Sequence, residues 1–190
     1  MVALGGSLFL GGRKKVGRFS PEPPLVPVIV LCTGKGSSSW LPLELQNEWN
    51  YQNQVNTMQT KNVNVTGTRV FSGQVYFRMQ TTLGGISTEQ FMRTADNGDI
   101  HWYNQNTLLD ELYIPAEPVL GQVISVSGRQ TRQVGSLTDI VETGLCTYFN
   151  VLRIDLYENG LPASSENYQK GIGQVYNSAN HWNLVSLTLH

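Results

Sequence analysis

The stretch "VFSGQVYFRMQ", Val70 to Gln80, alternates apolar and polar side chains, and the same period of two recurs from Trp40 to the last residue. Successive side chains of an extended backbone point to opposite faces, so a chain written this way must pair its strands into sheets. In this stretch Phe71, Val75, Phe77 and Met79 are expected on one face, with Ser72, Gln74, Tyr76 and Arg78 on the other. "FMRTADNGDIHWYN" reads as two short strands around Asn97-Gly98, a pair that tolerates the positive φ of a type I′ hairpin turn. "CTYFNVLRIDLYENGLPASSENY" reads as a long strand, a turn at Asn159-Gly160 and a return. Leu152, Ile154 and Leu156 share one face of that strand and Phe149 and Val151 the other, which predicts cover on both sides. The chain closes on "NLVSLTLH", again alternating.

Some ten strands at short spacing predict an all-β fold, a single antiparallel, strongly curved sheet or open barrel, with a β-sandwich as the alternative. No stretch carries a helical period, and a single helical turn within "PASSEN" is the most that is expected.

Composition narrows the function classes. Charged residues make up 14% of the 190, and the formal net charge is −1, so no global field favours nucleic acid. Gly, Asn, Gln, Ser and Thr occupy the surface positions that charges would normally hold, a pattern suited to exported β-domains. The two cysteines, Cys32 and Cys146, lack the paired spacing of a zinc site. No apolar run reaches the roughly 18–20 residues of a spanning helix.

The basic residues Arg13, Lys14, Lys15 and Arg18 precede an apolar block, "PLVPVIVL", which ends at Cys32. Cationic-then-apolar order is that of a secretory signal. Twelve residues precede the cluster, "SPEPP" interrupts it, and Leu31 stands where a lipoprotein peptidase wants a small residue. Three roles are open for Cys32: lipid attachment, a disulfide with Cys146, or a small apolar residue in an added strand. "TGKGSSS" after it reads as a flexible tether, which places Cys32 at a leader–domain junction and favours the anchor. The expected division is a signal-like leader and Gly/Ser tether over 1–39 and one all-β domain over 40–190.

Reactive groups that converge in sequence are scarce. His101, His181 and His190 stand apart, and no nucleophile elbow, HExxH or phosphate loop occurs. Asp96 and Asp99 in "DNGDI" lack the longer ligand series of a calcium loop and read as turn formers. Glu44 with Glu48, or Asp110 with Glu111, are the acid pairs a glycosidase reading would need. No catalytic residue, metal ligand or cofactor is therefore assigned. Aromatics interleaved with Asn and Gln offer a sugar-stacking or apolar groove, with Tyr76, Trp102 and Tyr103 as candidate lining residues. Asn64-Val65-Thr66 is a glycosylation sequon. In "KGIGQV", Gly171 and Gly173 flank Ile172 and predict a bulge or close backbone approach rather than a phosphate site.

Five stretches in order resemble a family: "WLPLELQNEWNYQ", "FMRTADNGDIHWYN", "LYIPAEPVLGQVI", "VETGLCTYFNVLRI" and "NYQKGIGQVYN". Over about residues 40–189 they resemble the TapB-like and related envelope lipoproteins and secreted domains of unknown function. Asn47-Glu48 stands where that pattern has Gly-Asn. The resemblance implies a curled all-β domain, exported to the bacterial periplasm or outer surface and often lipid-anchored, and it implies no catalytic residues. The expected function is a non-catalytic binding or assembly module whose partner is a hydrophobic ligand, a glycan or another envelope protein. A carboxylate-based polysaccharide hydrolase and a structural subunit assembling by edge strands are the rival readings.

Overall fold

Tight turns set the order of the strands. The computed structural model describes residues 37–127 and 129–190. Within them, successive left-handed residues at Ser72-Gly73 (φ 49° and 77°), Gly84-Gly85 (57° and 82°) and Asn159-Gly160 (53° and 77°) close three two-residue hairpins. That geometry matches the right-handed twist of the strands it joins. The strands are β1 (Glu48–Asn53), β2 (Thr60–Phe71), β3 (Gln74–Leu83), β4 (Ile86–Thr94), β5 (Ile100–Asn104), β6 (Leu109–Ile114), β7 (Val123–Ser127), β8 (Gln130–Glu142), β9 (Thr147–Glu158), β10 (Leu161–Gln169), β11 (Gly173–Asn177) and β12 (Trp182–Thr188).

All twelve join one antiparallel sheet in the order β6-β5-β4-β3-β2-β1-β12-β11-β10-β9-β8-β7. The sheet curls until its edge strands β6 and β7 lie side by side, but no hydrogen-bonded ladder joins them. The result is a barrel with one unsealed seam; a sandwich is excluded because there is one sheet. A barrel of about eight strands is just filled by its own side chains. Twelve leave more room, and large residues fill it: Trp49, Tyr51, Tyr148, Tyr168 and Trp182 are all buried. Trp40, Leu41 and Leu43, ahead of β1, are buried in the same core. The Trp40 indole donates to Ala116 O (3.1 Å) and Gly171 N–H donates to Ser39 O (2.8 Å), so this segment plugs one end of the barrel.

Four local expectations need correction. The Asn97-Gly98 turn is not type I′: Gly98 alone takes positive φ (88°), and its N–H donates to Ala95 O (2.8 Å). Asn97 instead spends its side chain on Asp99, accepting the Asp99 N–H at 3.1 Å and donating to its carboxylate at 2.8 Å. "VFSGQVYFRMQ" is a hairpin and not one strand, so Phe71 turns away from Phe77 and Met79. "PASSEN" holds no helical turn but lies in β10, where pairing with β9 skips Ala163 after Pro162, a residue with no N–H to give. In β9, Asn150 adopts φ 56° and resets the alternation, leaving Phe149 exposed while Val151 and Leu152 are both buried.

Gly173 carries the close approach read from "KGIGQV". At φ 104°, a Cβ there would lie 2.9 Å from Trp49 Nε1 and 3.3 Å from Leu41 Cδ1. The Trp49 indole occupies that space and donates to Ile172 O. Gly171 also sits at positive φ (73°). The leader and Cys32 lie outside the described residues. Cys146 is buried and disulfide-bonded. Cys32 is the other cysteine of the sequence; a bridge within the chain and a lipidated Cys32 exclude one another.

Candidate functional site

A cavity of about 220 Å³ lies inside the barrel, with a wall drawn from β1, β2, β3, β4, β6, β10 and β11. Its floor is apolar: Leu41, Trp49, Val63, Met79 and Met92. Its upper wall is polar and reaches solvent at Thr81, Gln90 and Asn177, away from the plugged end. In β2 the alternation that sends Val63 and Val65 inward also sends Lys61 inward. In β10 it sends Glu166 inward with Tyr168, and in β8 it sends Arg132 inward with Val134.

These groups form one network. Arg132 Nη2 pairs with Glu166 Oε2 at 2.7 Å, with both side chains about 14% and 13% exposed. The same guanidinium donates through Nη1 to the carbonyl of Tyr113 on edge strand β6 (2.9 Å) and lies 4.0 Å from the Tyr113 ring centroid. The Tyr168 hydroxyl donates to Glu166 (3.1 Å) and lies 3.0 Å from the Tyr113 hydroxyl. Gln174 Nε2 donates to Tyr168 (3.4 Å), while the Tyr51 hydroxyl donates to Gln174 O (2.9 Å). Arg132 therefore ties β8 to β10 and to the far edge of the seam.

Lys61 stands apart from this pairing. Its Nζ sits 4.2 Å from the Tyr51 ring centroid and 5.5 Å from that of Trp182, an attractive placement over two negative ring faces. Among the described residues no carboxylate lies within ion-pair distance of it. Burial pushes its pKa down from 10.5 to about 8, against a smaller upward pull from the Glu166 charge. Burial also raises the Tyr51 and Tyr168 phenols, and takes that of Tyr113 up to about 12 with help from the Glu166 charge. For Arg132 burial works against the charge, but Tyr113 and Glu166 outweigh it and its pKa rises.

The two shifts act oppositely on stability. Between pH 8 and 10 the unfolded chain holds a proton on Lys61 that the folded chain has released, so stability rises with pH, by about 2 kcal/mol. Above pH 10 unfolded tyrosines ionise while the buried ones keep their protons, so stability falls. Urea midpoints measured from pH 7 to 11 are expected to show this maximum near pH 10. In Lys61→Met the rise is expected to vanish and the fall to remain; an unchanged rise would refute the assignment.

The residues singled out from sequence distribute differently. Tyr76 and Tyr103 lie on the opposite face of the sheet, in a small cluster with Phe71 and Phe91. The Phe71 and Tyr103 rings stack at 4.0 Å. Trp102 packs against the main core, so the three aromatics do not line one groove. Asp110 meets Arg93 and His101, whereas its neighbour Glu111 accepts from Asn104 (2.8 Å) and Thr107 (3.2 Å), so that acid pair does not converge. Glu48 accepts from Asn50 and Asn62, both at 2.8 Å. Asp99 holds the N–H of Ala116 (2.7 Å), a turn role. Among the described residues no three His, Cys, Asp or Glu side chains converge as a metal site. No helix is long and apolar enough to cross a membrane among the described residues.

No family model matches the chain, and no curated protein matches it. Among solved structures, a protein from Bacteroides fragilis, named as a "putative exported protein with YmcC-like fold", is similar over 78% of this chain and 98% of its own. The identity is 11% and the TM-score 0.49, an agreement of chain paths too loose to carry an assignment of fold family or function.

Proposed function

We propose that this chain is an exported, non-catalytic binding module of the bacterial cell envelope, and that its ligand occupies the interior cavity. The observation that carries the reading is the cavity itself, an apolar floor joined to a polar wall that opens to solvent. Small-molecule sites are built this way, apolar for affinity with a few placed polar groups for orientation. Glu166 is the carboxylate in the lining and is already held by Arg132, which favours binding over acid-pair hydrolysis. The cationic-then-apolar leader and the low surface charge support export.

Octanol is a suitable neutral probe. Calorimetry is expected to detect its binding to the wild type, with a negative heat-capacity change from apolar burial. Thr81→Phe, which narrows the mouth, is expected to weaken it at least about tenfold, the loss of roughly 1.4 kcal/mol. Equal binding to both proteins, or none to either, would overturn the reading.

A second reading rests on the seam. β6 and β7 each present an edge without a ladder partner, and Leu109 and Val123 on these strands are exposed. Such edges accept an added strand from another chain.

A further inference from the structure

The cavity carries an unbalanced positive charge. Arg132 and Glu166 neutralise one another at 2.7 Å, and the remaining charged group of the lining is Lys61. Its ammonium is held in place by the faces of Tyr51 and Trp182 rather than by an anion. A cation brought into a partly desolvated site normally acquires a partner, because burying it alone is costly. Among the described residues none is supplied, although Glu166 on β10 lies near enough to act on Lys61 through its field. Tyr51 meets Lys61 with its ring face, while its hydroxyl is turned to Gln174 O. Below this rim lie Val63, Met79 and Met92, and the thioethers adapt to irregular apolar shapes.

Resting on the reading of the cavity as the binding site, we propose that the ligand is a small carboxylate with an apolar tail. Its head meets the Lys61 ammonium at the rim, and its tail runs down to Met79 and Met92. The head completes the ion pair that the fold leaves open, and the tail fills the floor. A neutral amphiphile fills the floor but leaves Lys61 unpaired, and acetate pairs with Lys61 but leaves the floor empty. Preference for the charged head is thus a property of one side chain.

The test compares octanoate, octanol and acetate on the wild-type protein and on Lys61→Met, by calorimetry at pH 7. Octanoate is expected to bind wild type about 10–100-fold more tightly than octanol, the range of one charge-assisted hydrogen bond. Acetate is expected to bind at least about a hundredfold more weakly than octanoate, having lost the burial of its methylenes. In Lys61→Met the two octyl probes should bind within about threefold of each other, because Met keeps the apolar stem and drops the charge. The wild-type ratio needs no variant, so the inference stays testable even where the substitution alters folding. Equal binding of octanoate and octanol to wild type, or a preference that survives in Lys61→Met, would overturn this inference while leaving the cavity reading intact. Failure of both octyl probes would overturn the two together.

Discussion

Gly173→Ala is expected to destabilise the protein by about 3–4 kcal/mol, the sum of backbone strain and a displaced core indole. At φ 104° an L-residue is strained by about 1–3 kcal/mol, and the new Cβ would stand 2.9 Å from Trp49 Nε1 and 3.2 Å from Cε2. Trp49 is 1% exposed, so the clash falls within the core. Moving it also takes the indole N–H away from Ile172 O, leaving a buried acceptor unsatisfied at a cost of about 1–3 kcal/mol. Gly160→Ala is the matched control. It also sits at positive φ (77°), but nothing lies within 4 Å of the Cβ position, so strain alone of about 1 kcal/mol is expected. Urea midpoints of the two variants measure the difference; equal midpoints would show that the indole contact contributes nothing.

Arg132→Met should cost about 3–5 kcal/mol, because it leaves the Glu166 carboxylate buried without its cation and the Tyr113 carbonyl without its donor. The double variant Arg132→Met, Glu166→Leu removes both charges and should recover most of that loss. Arg132 is also a side-chain tie from β8 to edge strand β6. Amide exchange in β6 is therefore expected to quicken in both variants, whereas the stability loss is expected in the single variant alone. Protection of β6 unchanged in either would contradict the tie.

Period and turn chemistry are local, which is why so much of the fold was readable in the sequence. The I′ turn at Asn159-Gly160 and the close approach at Gly173 follow from residues within a few positions of each other. Asn150 shows where local reading stops. Its left-handed backbone is set by a bulge in the β8–β9 pairing, not by any neighbour in sequence, and it undoes the alternation read across 149–152. The candidate site was legible in part and overlooked. Lys61, Glu166 and Arg132 each stand in phase with inward residues of their strands, Val63, Tyr168 and Val134, and a charge in phase with a core is the signal that marks an interior site. Which of these charges would meet was not legible, since Arg132 and Glu166 come together across β9 from strands 34 residues apart. Tyr76 and Trp102 were chosen for residue type, but alternation puts them on opposite faces, Tyr76 out of phase with the inward Phe77 and Met79.

The central claim is that a ligand enters the barrel from the Lys61 end and settles above its apolar floor. The indole N–H resonances report on this directly, because Trp49 lines the cavity, Trp182 lies beneath Lys61, and Trp40 sits in the opposite plug. Titrating octanoate into ¹⁵N-labelled protein is predicted to shift the Trp49 and Trp182 indole signals along one saturating curve while that of Trp40 stays in place. Saturation with Trp49 and Trp182 unmoved, or with Trp40 alone displaced, would contradict it.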